Sequence, residues 1–177
     1  MTGHPTFVVV AFAAWALVAW IWLTFNRLIA YRNECRNALA QVDVQLARRH
    51  ELLPKLEAVL KGSMNFEAST LETVTRLRQD SVAAPNLAGR LRVEAQLGVA
   101  IGALMLQVEA YPELRSMDQA LELQRQVVST EDRIAFSRTY YNDISANYNT
   151  LIEGFPARLL APRLGFELQP WFRERSA

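Results

Sequence analysis

The sequence predicts an all-α protein: an N-terminal transmembrane helix followed by a long antiparallel helical bundle of about four helices. Three observations predict it. One unbroken apolar run stands near the start, heptad-spaced apolar seams recur through the rest, and no strand-like alternation or hairpin turn signal is present.

The apolar run comes first. Residues 7–25 read FVVVAFAAWALVAWIWLTF, with Thr24 as the sole polar member and no Pro or Gly. As a helix this stretch is about 29 Å long at 1.5 Å per residue, close to the roughly 30 Å hydrocarbon core of a bilayer. Only a helix satisfies its backbone there. A cleaved signal peptide is the rival. It requires a basic leader, a shorter apolar core and a small-residue cleavage site. Residues 1–6 contain no Lys or Arg, and Ala11 and Ala13 lie inside the run with Trp15, Trp20 and Trp22 after them. Arg27, Arg32 and Arg36 follow the span, which predicts a single-pass protein of the cell (inner) membrane with its N-terminus outside and its bundle cytoplasmic. Residues 1–6 are then a short external stub. The span lacks Gly-x-x-x-Gly, although Ala11, Ala14 and Ala16 leave homo-oligomerisation through it open.

Residues 26–156 form the bundle. Every charged residue lies after Asn26. Cys35, Leu39, Val42, Leu46, Arg49, Leu53, Leu56 and Leu60 follow 3.5-residue spacing, so the first helix should run from the membrane to Lys61 and stop before Gly62. Pro54 cannot donate to the carbonyl of His50 and should kink it. Phe66, Thr70, Leu71, Val74 and Leu77 make a short second helix that ends in the turn 83–86. Leu87, Leu91, Leu97, Ile101, Leu104 and Val108 make a third, ending at Tyr111 before Pro112. Gly98 and Gly102 on it permit close approach of a neighbour. Ser116 and Gln119 have capping-box spacing for a fourth, whose seam is Val127, Ile134, Tyr141, Tyr148 and Phe155. Short loops alternate the helix directions. Residues 157–177, rich in Leu, Phe and Arg, form a tail expected to fold back over the bundle end, with contact to lipid headgroups as the other reading.

Composition narrows function by exclusion. With 19 basic and 18 acidic residues the net charge is +1, so no strong field attracts nucleic acid. Lys55 and Lys61 are the two lysines, and the arginines sit among Glu and Asp as on solvated helix faces. The single cysteine, Cys35, occupies a seam position and reads as a small buried hydrophobe. His50-Glu51 opens a zinc-protease motif that fails, because Pro54 stands where the second His belongs. No catalytic residue, metal site or cofactor site is predicted. Arg49 is the odd member of its seam. Its stem should pack while its head reaches water or a carboxylate, the alternative being a partner site. Tyr141 and Tyr148 should fill the core, with Asn142 and Asn149 bonding across helices.

The run NALAQVDVQLARRHELLPKLEAVLKG (37–62), then STLETVTRLR (69–78), STEDRIAFSRTYYNDISANYNTLIEGFP (129–156) and the closing LGF and WF resemble the LemA family. The matching residues include Asp43 to Leu46, Arg48, Arg49, Pro54, Gly62, Arg133-Ile134, Tyr141-Asn142 and Tyr148-Asn149. The chain departs from the family at Leu39, where an aromatic is common, at Lys55, where Asn is common, and near Phe66, where a His is common. The resemblance implies a bacterial single-pass membrane protein with a helical bundle and no known enzymatic activity. Some members of that family look like participants in membrane-organelle or envelope processes. The expectation is therefore a non-enzymatic scaffold or adaptor whose mechanism is tethering. Its partners are the lipid bilayer and an unidentified protein. Asp43, Arg48, Arg49, Arg133 and Asn142, polar groups matching the family pattern, are the expected partner-binding residues. The second reading is a hydrolase or small-molecule-binding regulator with a pocket between bundle helices, which a cavity lined by Tyr141, Tyr148 and ionisable groups would favour.

Overall fold

The structure is a computed structural model and describes residues 4–62, 68–111, 114 and 117–172. The expectations attached to Phe66, Pro112, Ser116 and the last part of the tail, residues 173–177, lie outside these. Helix α1 is His4–Lys61, α2 is Ala68–Val82, α3 is Leu87–Glu109 and α4 is Asp118–Glu153. A short helix α5, Ala157–Leu160, and a 3-10 turn, Pro162–Leu164, follow. No strand occurs among the described residues. Helix α1 starts at His4, three residues ahead of the predicted span, and runs through Pro54. Asn86 caps α3 by accepting from the Gly89 N–H at 2.8 Å, which satisfies one of the donors a helix N-terminus leaves open.

The chain divides into two compact units: Met1–Asn37 with Asp143–Gln169, and Ala38–Asn142 with Pro170–Ala177. In the second unit, one apolar cluster holds Leu53, Leu56 and Leu60 of α1, Leu71 and Val74 of α2, Leu97, Ile101, Leu104 and Val108 of α3, and Val127 of α4. Another holds Ala38, Val42 and Leu46 of α1, Leu91 of α3, Ile134 and Tyr141 of α4, and Phe172. From the second of these clusters to the first, α1 and α3 run with rising residue number and α4 with falling, so neighbours alternate in direction as short connections require.

In the first unit, Leu28, Cys35, Tyr148, Ile152, Ala157, Ala161 and Phe166 form one core. The side chains of 7–23 are almost all exposed, as a lipid-facing helix requires. Helix α3 is also long and apolar enough to cross a membrane, but one side of it is buried in the second unit, which is the pattern of a core helix. The α4 seam holds at Val127, Ile134, Tyr141 and Tyr148 and fails at Phe155. Phe155 lies past the end of α4, is 72% exposed, and packs its ring 5.4 Å from that of Trp20. Gly102 also departs from expectation: a Cβ there meets nothing within 4 Å, so no neighbour approaches closely. Gly98 does have a neighbour, described below.

Candidate functional site

Between the two clusters of the second unit, α1, α3 and α4 each place a polar residue where the seam calls for an apolar one. On α1, Arg49 falls between Leu46 and Leu53; on α3, Glu94 falls between Leu91 and Leu97; on α4, Glu131 falls between Val127 and Ile134. Arg49 and Glu94 are only 2% and 3% exposed. A buried guanidinium is tolerable only when paired and hydrogen-bonded. Arg49 Nη1 donates to both carboxylate oxygens of Glu131 at 3.1 Å, and Nη2 donates to the Glu94 carbonyl at 3.2 Å and to its carboxylate Oε2. The Arg49 head thus meets two carboxylates. Gly98 faces this arrangement: a Cβ there would make ordinary van der Waals contact, 3.5 Å from Glu131 Oε2 and 3.6 Å from Arg49 Nη1.

Glu94 is held from α2 as well. Ser81 Oγ donates to Glu94 Oε1, and His50 Nε2 lies 2.9 Å from the same oxygen. Burial pushes the Glu94 carboxyl upward and is the largest single influence. The close approach of His50, the Arg49 charge and the Ser81 hydroxyl together outweigh it and hold Glu94 at about 2. Arg138 on α4 is held below its ordinary value, chiefly by burial and then by repulsion from Arg49, while Glu131 and Glu94 pull the other way. Two arginines and two carboxylates therefore balance in this layer.

A cleft of about 370 Å³ opens beside it, lined by Asp43, His50, Ser81, Arg90, Glu94 and neighbouring apolar side chains. Asp43 pairs with Arg90 at the rim. Neither Tyr141 nor Tyr148 lines this cleft. A general base works best with a pKa near the operating pH. Glu94, clamped by Arg49, Ser81 and His50 and held at about 2, is matched to pairing rather than to proton transfer. No group of three metal-ligating side chains occurs among the described residues.

The expected partner-binding residues separate. Arg49 is interior, Asp43 is tied to Arg90, and Asn142 clasps backbone: its Nδ2 donates to the Phe172 carbonyl at 3.1 Å and its Oδ1 accepts from the Phe172 N–H at 2.9 Å. Asn149 repeats this clasp in the first unit, on the carbonyl and N–H of Gln169 at 2.9 and 2.8 Å. The Asn side chains therefore bind extended C-terminal backbone and do not cross to another helix. Tyr141 adds a hydrogen bond to the Pro170 carbonyl at 2.9 Å and an edge contact to the Phe172 ring. Arg48 and Arg133 stay on the surface. Sequence reasoning missed Glu94, Glu131 and Ser81. For Glu94 a signal was present, a lone acid at the seam spacing of α3 that answers the lone base in α1.

A family model matches residues 38–177, the whole stretch that carries Arg49, Glu94, Glu131, Asn142 and Asn149. The chain belongs to the LemA family. Protein LemA of Metamycoplasma hominis is 29% identical over 140 residues, which cover 78% of this chain and 64% of that protein, so the chain spans under two thirds of that relative's length. Magnetosome protein MamQ of Magnetospirillum gryphiswaldense is 26% identical across 100% of this chain and 76% of its own. Magnetosome protein MamQ 2 of Paramagnetospirillum magneticum is 24% identical across 98% of this chain and 74% of its own. None of these is the name of an enzyme. This LemA-family chain thus combines the family's helical region with an N-terminal apolar helix of membrane-spanning length.

Proposed function

We propose that this LemA-family chain is a single-pass protein of the cell (inner) membrane, N-terminus outside and helical bundle in the cytoplasm, that acts as a non-enzymatic scaffold or adaptor. The observation that carries the docking role is a face of α4. Val128, Phe136 and Tyr140, at i, i+8 and i+12, are exposed there, Phe136 to 75%, with Arg133 exposed between them. Aromatic side chains beside an arginine are the composition of protein interface hot spots. The inward face of the same helix is locked by Glu131, Ile134 and Asn142, so the outward face is presented on a rigid support.

The polar layer supports the non-enzymatic reading, because its ionisable groups are engaged with one another. Its role is to fix the register of α1, α3 and α4, a use for which buried polar groups are known. In the test, a photo-crosslinking benzoylphenylalanine replaces Phe136 in living cells. A discrete adduct that disappears with Arg133→Glu, while the chain stays in the membrane fraction, supports tethering. An adduct of twice the chain mass makes the partner a second copy. No adduct, or the same adducts from a probe at Leu106 on α3, refutes docking through this face.

A further inference from the structure

The first unit carries an apolar surface that neither anchoring by the span nor docking through α4 uses. After α4 ends at Glu153, the chain turns back against α1 at the end of its apolar run. Ala157 and Ala161, four apart on one side of this segment, are buried in the same core as Leu28. Gly165 adopts φ 71°, a left-handed conformation that favours glycine, and lets the Phe166 N–H reach the Ala161 carbonyl at 3.0 Å. This closes the turn and seats the Phe166 ring edge-on to Phe25, with centroids 6.0 Å apart.

The other side of the segment is apolar and uncovered: Phe155, Leu159, Leu164 and Leu168 are all exposed. Its depth is set by α1. Phe155 touches Trp20, which lies five residues before Phe25 and so about 7.5 Å inside the end of the apolar run. An apolar cleft of about 260 Å³ separates the segment from α1, with Val18, Ile21 and Trp22 on one wall and Leu160 and Leu164 on the other. Three of those five residues belong to the span itself, so the cleft and the exposed leucines continue the surface already assigned to lipid.

We propose that residues 155–168 form a second membrane contact. The corner penetrates the leaflet on the Arg27 side of the span, with Phe155, Leu159 and Leu164 among the acyl chains and one phospholipid chain in the cleft. The exposed Arg158 and Arg163 lie at the level of the phosphates, where long basic stems bury methylenes and leave the head in polar surroundings. A water-exposed patch of this kind is a liability, whereas a bilayer covers it without a further partner. The inference rests on reading residues 7–25 as a membrane span.

The experiment uses the full-length chain with Cys35→Ala and one new cysteine at a time, as Leu159→Cys, Leu164→Cys, Trp15→Cys or Val99→Cys. Each carries a nitrobenzoxadiazole label. The host is a vesicle of phosphatidylcholine with a minority of phosphatidylglycerol, doped with lipid bearing a nitroxide midway along its acyl chain, within reach of both the middle of the span and the headgroup–acyl boundary. The probes at 159 and 164 should be quenched to within a factor of about two of the probe at 15, as befits burial at the headgroup–acyl boundary, while the probe at 99 is not. Quenching at 15 without quenching at 159 and 164 overturns the corner and leaves the span standing. No quenching at 15 overturns both. A chain-to-chain crosslink from Leu159→Cys, with no lipid quenching there, assigns the patch to a second copy and overturns the proposal.

Discussion

Replacing Glu94 by Gln removes one charge from the polar layer and changes little in volume. Glu94 is held at about 2 against an ordinary value of 4.5. A depression of that size corresponds to about 3 kcal/mol of folding stability at neutral pH, each pKa unit being worth about 1.4 kcal/mol. The sign follows from the lowered value. Because the folded state holds the carboxylate more tightly ionised than the unfolded chain does, the stabilisation is complete above about 4.5 and disappears as pH falls toward 2. Glu94→Gln should therefore unfold with about 3 kcal/mol less stability at pH 7 and with nearly wild-type stability at pH 2. Arg49 retains Glu131 in the variant, so the layer is weakened but not stranded. The assay is denaturant unfolding of the full-length chain in mild detergent, followed by far-ultraviolet circular dichroism across that pH range. Other carboxylates titrate in both proteins, and the difference between the two curves isolates Glu94. A difference under about 1 kcal/mol at neutral pH, or one that does not change with pH, refutes the account of the layer.

Arg49→Met leaves Glu94 and Glu131 facing each other without their shared cation and should cost about 3–5 kcal/mol in the same assay, whereas adding Glu94→Gln and Glu131→Gln should recover much of it. Asn149→Ala strips the clasp from the Gln169 backbone and should lower stability by about 2 kcal/mol, with faster proteolysis of the C-terminal segment as a second readout. Gly102→Ala, where a Cβ meets nothing, should raise stability by about 0.5–1 kcal/mol. Burial, ahead of any other influence, pushes the Cys35 thiol above its ordinary value, so a maleimide at neutral pH should leave it unmodified in the folded chain and label it on unfolding.

The helices were legible because their seams are strict. Each of Val42, Leu46, Leu53, Leu56 and Leu60 that sits at 3.5 spacing is buried, and the stops at Gly62 and Asn86 coincide with helix ends within a residue or two. Arg49 showed as an anomaly for the same reason, since a charge is visible only against a regular apolar background. Its partners did not, because spacing along one helix carries no information about which residues face it from another. Asn142 and Asn149 show the limit most clearly. Their seven-residue interval marked one face of α4, yet their ligands are backbone groups of Phe172 and Gln169, which have no side-chain signature. Phe155 extended the heptad arithmetic past the end of its helix, where the period no longer describes geometry.

Alkaline carbonate washing of membranes from cells that make the full-length chain addresses anchoring by residues 7–25 most directly. The account predicts that the chain remains in the pellet, and that Val10→Glu combined with Leu17→Glu releases it. Full-length chain in the wash supernatant contradicts the account.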